Sequence, residues 1–120
     1  MAAPNLKSPT TINGKTARYK ITGTSIVGVV TNAGSSGKVL KINSIFAANI
    51  DGTSGVNVSV SVYDGSTDCY IASTIYVPPD ATQIISTKES YFYLEEGDQL
   101  RVTGSVANKL NIIVGFEDIS

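Results

Sequence analysis

Along most of this chain apolar residues recur at every second position. In Val56-Asn-Val-Ser-Val-Ser-Val62, four valines fall on one side and Asn57, Ser59 and Ser61 on the other. A period of two is that of an antiparallel β-strand with one face buried and the other in water. The pattern repeats. Ala17, Tyr19 and Ile21 alternate with Arg18 and Lys20, and Leu40 and Ile42 alternate with Lys41 and Asn43 in a run that continues through Ile45, Phe46 and Ala47. Leu100 and Val102 flank Arg101, while Leu110, Ile112, Val114 and Phe116 form one face of a last strand. Two further runs, residues 25–31 and 70–77, are largely apolar on both faces. They fit either central strands or strands covered by a neighbouring chain. Helical spacing is almost absent.

Turn chemistry separates the runs. Thr22-Gly-Thr24, Asn32-Ala-Gly-Ser-Ser-Gly37, Asp51-Gly-Thr-Ser-Gly55, Asp64-Gly-Ser-Thr-Asp68, Pro78-Pro-Asp80, Glu95-Glu-Gly-Asp98 and residues 105–109 each carry Gly, Asn, Asp or Pro. These residues supply the backbone angles a reversal needs. About eight or nine short strands with this spacing predict a single all-β domain, an antiparallel β-sandwich of jelly-roll or immunoglobulin-like order. Residues 1–14 stand apart. Pro4 and Pro9 forbid regular helix and favour extended backbone. We expect an extended N-terminal arm over 1–14 and a sandwich over 15–120. Fourteen extended residues reach at most about 45–50 Å, enough to cross a small neighbouring domain.

Composition narrows the function. The chain has 120 residues, a formal net charge of −1 and 16% charged residues. Nothing in that balance provides the basic surface that nucleic acid requires, nor an attraction to anionic membranes. With no His and no Trp, His-based triads and His-ligated metals are excluded. Cys69 is the sole cysteine, so neither an internal disulfide nor a Cys-based zinc site can form. We expect it to be a small buried strand residue. No apolar run has the length of a signal peptide or a membrane helix.

Candidate chemistry is sparse. Glu95, Glu96 and Asp98 make the densest acidic cluster, and a Glu95/Asp98 pair is the one arrangement from which a hydrolase could be built. Their place around Gly97 between apolar runs instead predicts a hairpin turn with solvated charges. The Asp64–Asp68 segment lacks the ligand spacing of a calcium loop, and Gly34-Ser-Ser-Gly-Lys38 lacks that of a phosphate loop. No catalytic, cofactor or metal site is assigned. The aromatics say more. In Tyr91-Phe-Tyr93, successive rings of a strand point to opposite faces, so one face can join the core and the other, Phe92 or the two tyrosines, is either covered by a partner or exposed. Exposed Tyr suits an interface because it offers area plus a hydroxyl. Pro4, Leu6, Pro9, Tyr91 and Tyr93 are the expected subunit-interface residues. A carbohydrate-binding patch at Tyr63, Tyr70 or Tyr76 is the rival use of exposed Tyr.

Four stretches resemble a family of small virion proteins of tailed bacteriophages, notably marine and cyanobacterial ones. They are Ser36-Gly-Lys-Val-Leu-Lys-Ile-Asn-Ser-Ile-Phe-Ala-Ala-Asn-Ile-Asp-Gly52, Ile71-Ala-Ser-Thr-Ile-Tyr-Val-Pro-Pro-Asp80, Tyr93-Leu-Glu-Glu-Gly-Asp-Gln-Leu100 and Val114-Gly-Phe-Glu-Asp-Ile-Ser120. The resemblance spans residues 12–120, rests on turn and strand patterns, and carries over no active-site residue. It implies a place in the virion, after synthesis in the host cytoplasm. The expected role is that of a capsid decoration or cement protein, a homo-oligomer (a trimer) bridging subunits of the major capsid protein on the outside of the head. The alternative is a structural adaptor at the neck, tail or fibre base that binds a receptor or glycan.

Overall fold

The computed structural model describes residues 4–120. The turn clusters fall where the backbone reverses, and the alternating runs between them form nine strands: β1 (Ile12–Lys20), β2 (Val27–Thr31), β3 (Val39–Asn49), β4 (Val56–Tyr63), β5 (Asp68–Val77), β6 (Thr82–Ser86), β7 (Phe92–Leu94), β8 (Gln99–Gly104) and β9 (Leu110–Ile119). A short 3₁₀ turn at Lys88–Ser90 precedes β7. The first sheet has the order β1-β9-β3-β6, with β7 also pairing β3, and the second has the order β2-β8-β4-β5. All pairs are antiparallel.

The pairing chooses between the two sandwich orders. β1 pairs β9, β2 pairs β8, β3 pairs β6 and β7, and β4 pairs β5. These pairs nest as in one long hairpin whose apex is the β4–β5 turn, rolled until its strands alternate between two sheets. That is the jelly roll; in an immunoglobulin-like sandwich the first strand pairs the second. At the apex, Asp64 Oδ1 accepts from the Ser66 and Thr67 N–H groups and the Ser66 hydroxyl.

The core is made by the inward residues of both sheets. Ile42, Ile45, Ala47, Leu110, Ile112 and Val114 of the first sheet meet Val56, Val58, Val60, Leu100 and Val102 of the second. Register slips at several bulges change the inward parity. At Asn43 the β3–β9 register slips between Ile42 and Ser44, so the buried set passes from 40 and 42 to 45, 47 and 49. In β5, residues 73 and 74 together face the single Ser59 of β4, and Thr74 has φ 54°. A buried asparagine organises each end of the sandwich. Asn32 Nδ2 donates to the Lys38 and Leu94 carbonyls, and Asn49 Nδ2 to those of Ser54, Val77 and Pro78.

Four local expectations differ from the structure. Residues 25–31 and 70–77 are not central: β2 and β5 are the two edges of the second sheet. The valines of β2 pack on the core, whereas Tyr70, Ile71 and Tyr76 of β5 are exposed. Cys69 is exposed rather than buried, because it sits near the hairpin apex on this edge. The Glu95–Asp98 turn is not a hairpin, since β7 belongs to the first sheet and β8 to the second. It is a crossover between the layers. The first strand starts at Ile12, so residues 12–14 pair with β9.

Candidate interaction face on the first sheet

Strand parity turns Lys41, Phe46 and Tyr93 away from the core, together with Ile113 and Glu117 of β9. Phe46 lies between Ile113 on β9 and Ile84 on β6 in the register. The three make an outward apolar row across the sheet, and Ile84 keeps 52% of its surface exposed. Exposure of such a row to water is unfavourable, and a partner that covered it would gain hydrophobic stabilisation.

An aromatic and charged cluster lies further along the same face. Tyr91 and Tyr93 pack edge to face, with ring centroids 5.8 Å apart and an interplanar angle of 81°. The Lys41 ammonium stands 4.2 Å from the centre of the Tyr91 ring and 3.8 Å from Glu117 Oε2. Asn43 Nδ2 donates to the same oxygen at 3.0 Å, while Asn43 Oδ1 is buried without a partner. The stack and its cation hold the tyrosines in a defined pose. A partner therefore meets them already ordered and loses less side-chain entropy on binding. Phe92 turns inward and packs against the core, which leaves the outward role to Tyr91 and Tyr93.

The arm reaches this face too. Pro4 and Leu6, with Val39, Phe92, Tyr93 and Glu95, line a depression of about 440 Å³. Val39 and Ile119 are paired in register on the outward side. They are nevertheless buried and stand outside the core cluster. Of the five expected interface residues, Pro4, Leu6 and Tyr93 thus share one depression and Tyr91 packs on Tyr93. Pro9 lies apart, at the base of the arm. There the Thr10 and Thr11 N–H groups donate to the Ser120 carbonyl, and the Ser120 N–H returns a bond to Thr11 O. The row Phe46, Ile84 and Ile113 escaped the sequence reading. Its signal was the unbroken apolar run from Ile45 to Ala48, which must place apolar residues on both faces.

The other candidates are put to local use. Glu96 Oε2 accepts from the Gly37 N–H, Asp98 Oδ2 from the Glu95 N–H, and Glu95 borders the arm's depression. The three carboxylates thus serve three different places. No group of three or more Cys, Asp or Glu side chains is arranged to hold a metal among the described residues. On the outward face of the second sheet, Tyr63 is covered by the Arg101 guanidinium, 4.0 Å from its ring centre. Tyr70 and Tyr76 stay exposed, the latter resting against Gly55, where an added Cβ would lie 2.3 Å from its ring. At the sandwich mouth a second depression of about 380 Å³ holds Asp118 between Lys15 and Lys38, at 2.9 and 3.2 Å. Burial raises the Asp118 pKa, but the hydrogen bonds from the two lysines outweigh it and hold the carboxyl below its ordinary value.

No protein-family model and no curated protein matches the chain by sequence. Solved structures do match. One is a chain of the acid-stable capsid of the Helicobacter pylori bacteriophage KHP30, with 12% identity and a TM-score of 0.55 over 94% of this chain and 90% of that one. Another is a chain from Bacillus endospore appendages, a family of disulfide-linked pili, with 13% identity and a TM-score of 0.53 over 100% and 97%. What is shared is the fold. At these identities side chains are not conserved as a set, so neither match assigns a role to Tyr91, Lys41 or any other residue of the face. Both place the whole of this jelly roll, rather than a fragment, beside chains of nearly equal length.

Proposed function

We propose that this chain is a structural component of a phage particle: a decoration protein that binds the outside of the head and bridges capsid subunits. The observation that carries the reading is the outward face of the first sheet, where an apolar row, a preordered tyrosine pair and the arm adjoin one another. The end-to-end fold likeness to a phage capsid chain supports it, as do the four virion-like stretches. Adhesion needs no catalysis. Many weak contacts repeated over a lattice give strong attachment, because each copy raises the local concentration of the next. Aromatic anchors at the centre of a patch supply most of the energy of each contact.

Co-sedimentation with heads that lack the protein tests this. The wild-type chain is expected to pellet with heads, and the double substitution Tyr91→Ala and Tyr93→Ala to reduce binding at least tenfold while remaining folded. Unchanged binding by the double variant would remove this face from the account.

The second reading is a neck, tail or fibre-base adaptor that binds a receptor or glycan. Tyr70 and Tyr76, exposed at 55% and 60% on the second sheet, favour it. The likeness to pilus chains raises a filament as well. Those pili are disulfide-linked, and a chain joined to both neighbours by disulfides needs two cysteines. These 120 residues hold one, which supports at most a pair.

A further inference from the structure

Pro4 and Leu6 form one wall of a depression whose other walls are Val39, Phe92, Tyr93 and Glu95, and the way the arm is held there leaves it free to be exchanged. Residues 4–9 are folded back by a tight local turn. The Lys7 N–H donates to Asn5 Oδ1 at 3.0 Å, and the Ser8 N–H to the Asn5 carbonyl at 3.0 Å. Both bonds are internal to the arm. Among the described residues, no hydrogen bond or ion pair joins residues 4–9 to the sandwich; the first such bonds come from Thr10 and Thr11 to Ser120. The segment is therefore held on the body by apolar contact alone, and Leu6 still leaves 46% of its surface in water. Beside them lies Val39, paired in register with Ile119; both are outward-facing by register yet buried.

These features separate two functions that a terminus can combine. The base is pinned by three backbone bonds, so the place where the arm leaves the body is fixed. The tip is held by a non-directional contact that any identical depression can reproduce. Opening the Asn5–Ser8 turn loses only local hydrogen bonds, which water replaces. The six residues 4–9, extended, then reach at most about 20–22 Å, close to the 20 Å smallest dimension of the molecule, which suffices for a copy packed directly against the base of the arm.

We infer that in the assembled protein the arm is exchanged: Pro4 and Leu6 of one copy take the same place beside Val39, Phe92, Tyr93 and Glu95 of a second copy. The closed and exchanged arms make the same contacts, so the equilibrium between them is set by the hinge and by concentration. In dilute solution the closed arm prevails. On a lattice, where neighbours are held at high effective concentration, exchange costs little and links each copy to the next. The inference deepens the head-decoration reading by naming a copy of this chain as the arm's partner, and it takes its setting from that reading.

The test uses two single-cysteine chains, each also carrying Cys69→Ser: one with Leu6→Cys, the other with Tyr93→Cys. They are mixed in equal amounts and oxidised over a range of protein concentrations. A cross-link between the two kinds of chain can form only in trans. We expect a reducible product of twice the chain mass whose fraction rises with concentration. A mixture of Leu6→Cys with Val106→Cys, an exposed position in the β8–β9 loop, reports random collision. The inference is overturned if the mixed product stays at that collision level while a chain carrying both Leu6→Cys and Tyr93→Cys closes its disulfide internally. Should either chain misfold, the pair Pro4→Cys and Glu95→Cys asks the same question. The outcome is separable from the head reading. Exchange without attachment to heads upholds the inference and rejects that reading; attachment with only internal closure does the reverse.

Discussion

The outward face of the first sheet carries a row of apolar side chains, a cation-capped tyrosine pair and the N-terminal arm. The outward face of the second carries Asn57, Ser59, Ser61, Arg101 and Thr103 in its middle strands, with exposed tyrosines only toward the β5 edge. Inward, the two sheets are alike, each presenting branched aliphatic residues at every second position. The difference separates a face suited to water from a face suited to a partner. The second sheet has the polar alternation of a face meant for water, and its one apolar edge is interrupted by the Thr74 bulge. Such irregularities discourage edge-to-edge pairing. The first sheet keeps Phe46, Ile84 and Ile113 outward, with Ile84 exposed and the other two half-buried. That asymmetry is why attachment is assigned to the first sheet.

The largest effects are expected where the sheets are alike. Ile42→Ala in the first sheet and Leu100→Ala in the second, both fully buried, should each cost about 2–5 kcal/mol in chemical denaturation. If one were nearly neutral, the core would not be shared equally by the two sheets.

Next comes the mouth. Asp118→Asn removes the negative charge that two lysines pair with and should cost about 1–2 kcal/mol at neutral pH. Its carboxyl is held below the ordinary value, so its contribution is present above the unfolded-state pKa and lost as pH falls through the folded one. Asp51 behaves likewise. The hydrogen bond from Lys109 lowers its pKa from 3.8 to about 2, with help from Thr53. Thermal unfolding followed by circular dichroism should therefore show stability falling between pH 3.8 and about 2, less steeply for Asp118→Asn. Equal slopes would remove Asp118 from the acid response.

Smaller still are the stability effects outside. Tyr91→Ala with Tyr93→Ala should cost about 1 kcal/mol or less, for the lost stacking, while head binding drops at least tenfold. Tyr70→Ala with Tyr76→Ala should stay within about 0.5 kcal/mol and leave head binding unchanged. If the second pair abolished binding and the first did not, the assignment of faces would be reversed.

The strands were legible because a period of two survives in nearly every run, and the turns because Gly, Asn and Asp mark them. The nested pairing was not, since pairing depends on which strands meet and a single sequence does not encode partners. Parity was legible only up to the bulges. Nothing in Ile42-Asn43-Ser44 announces that the inward set shifts by one. Residues 70–77 misled because an edge strand with exposed Tyr and Ile reads like a buried one, and Cys69 shared that error. The site was half legible. The opposite facing of Phe92 and of Tyr91 and Tyr93 follows from their spacing, whereas the meeting of Tyr93 with Pro4 and Leu6 depends on where the arm folds in three dimensions.

The central claim is that this chain decorates a capsid lattice, and its copy number in purified particles tests it most directly. Quantitative mass spectrometry against the major capsid protein should find hundreds of copies per particle. A count of about six to a few dozen would contradict the head assignment and move the chain to the neck, tail or fibres; absence from the particle would contradict a virion role altogether.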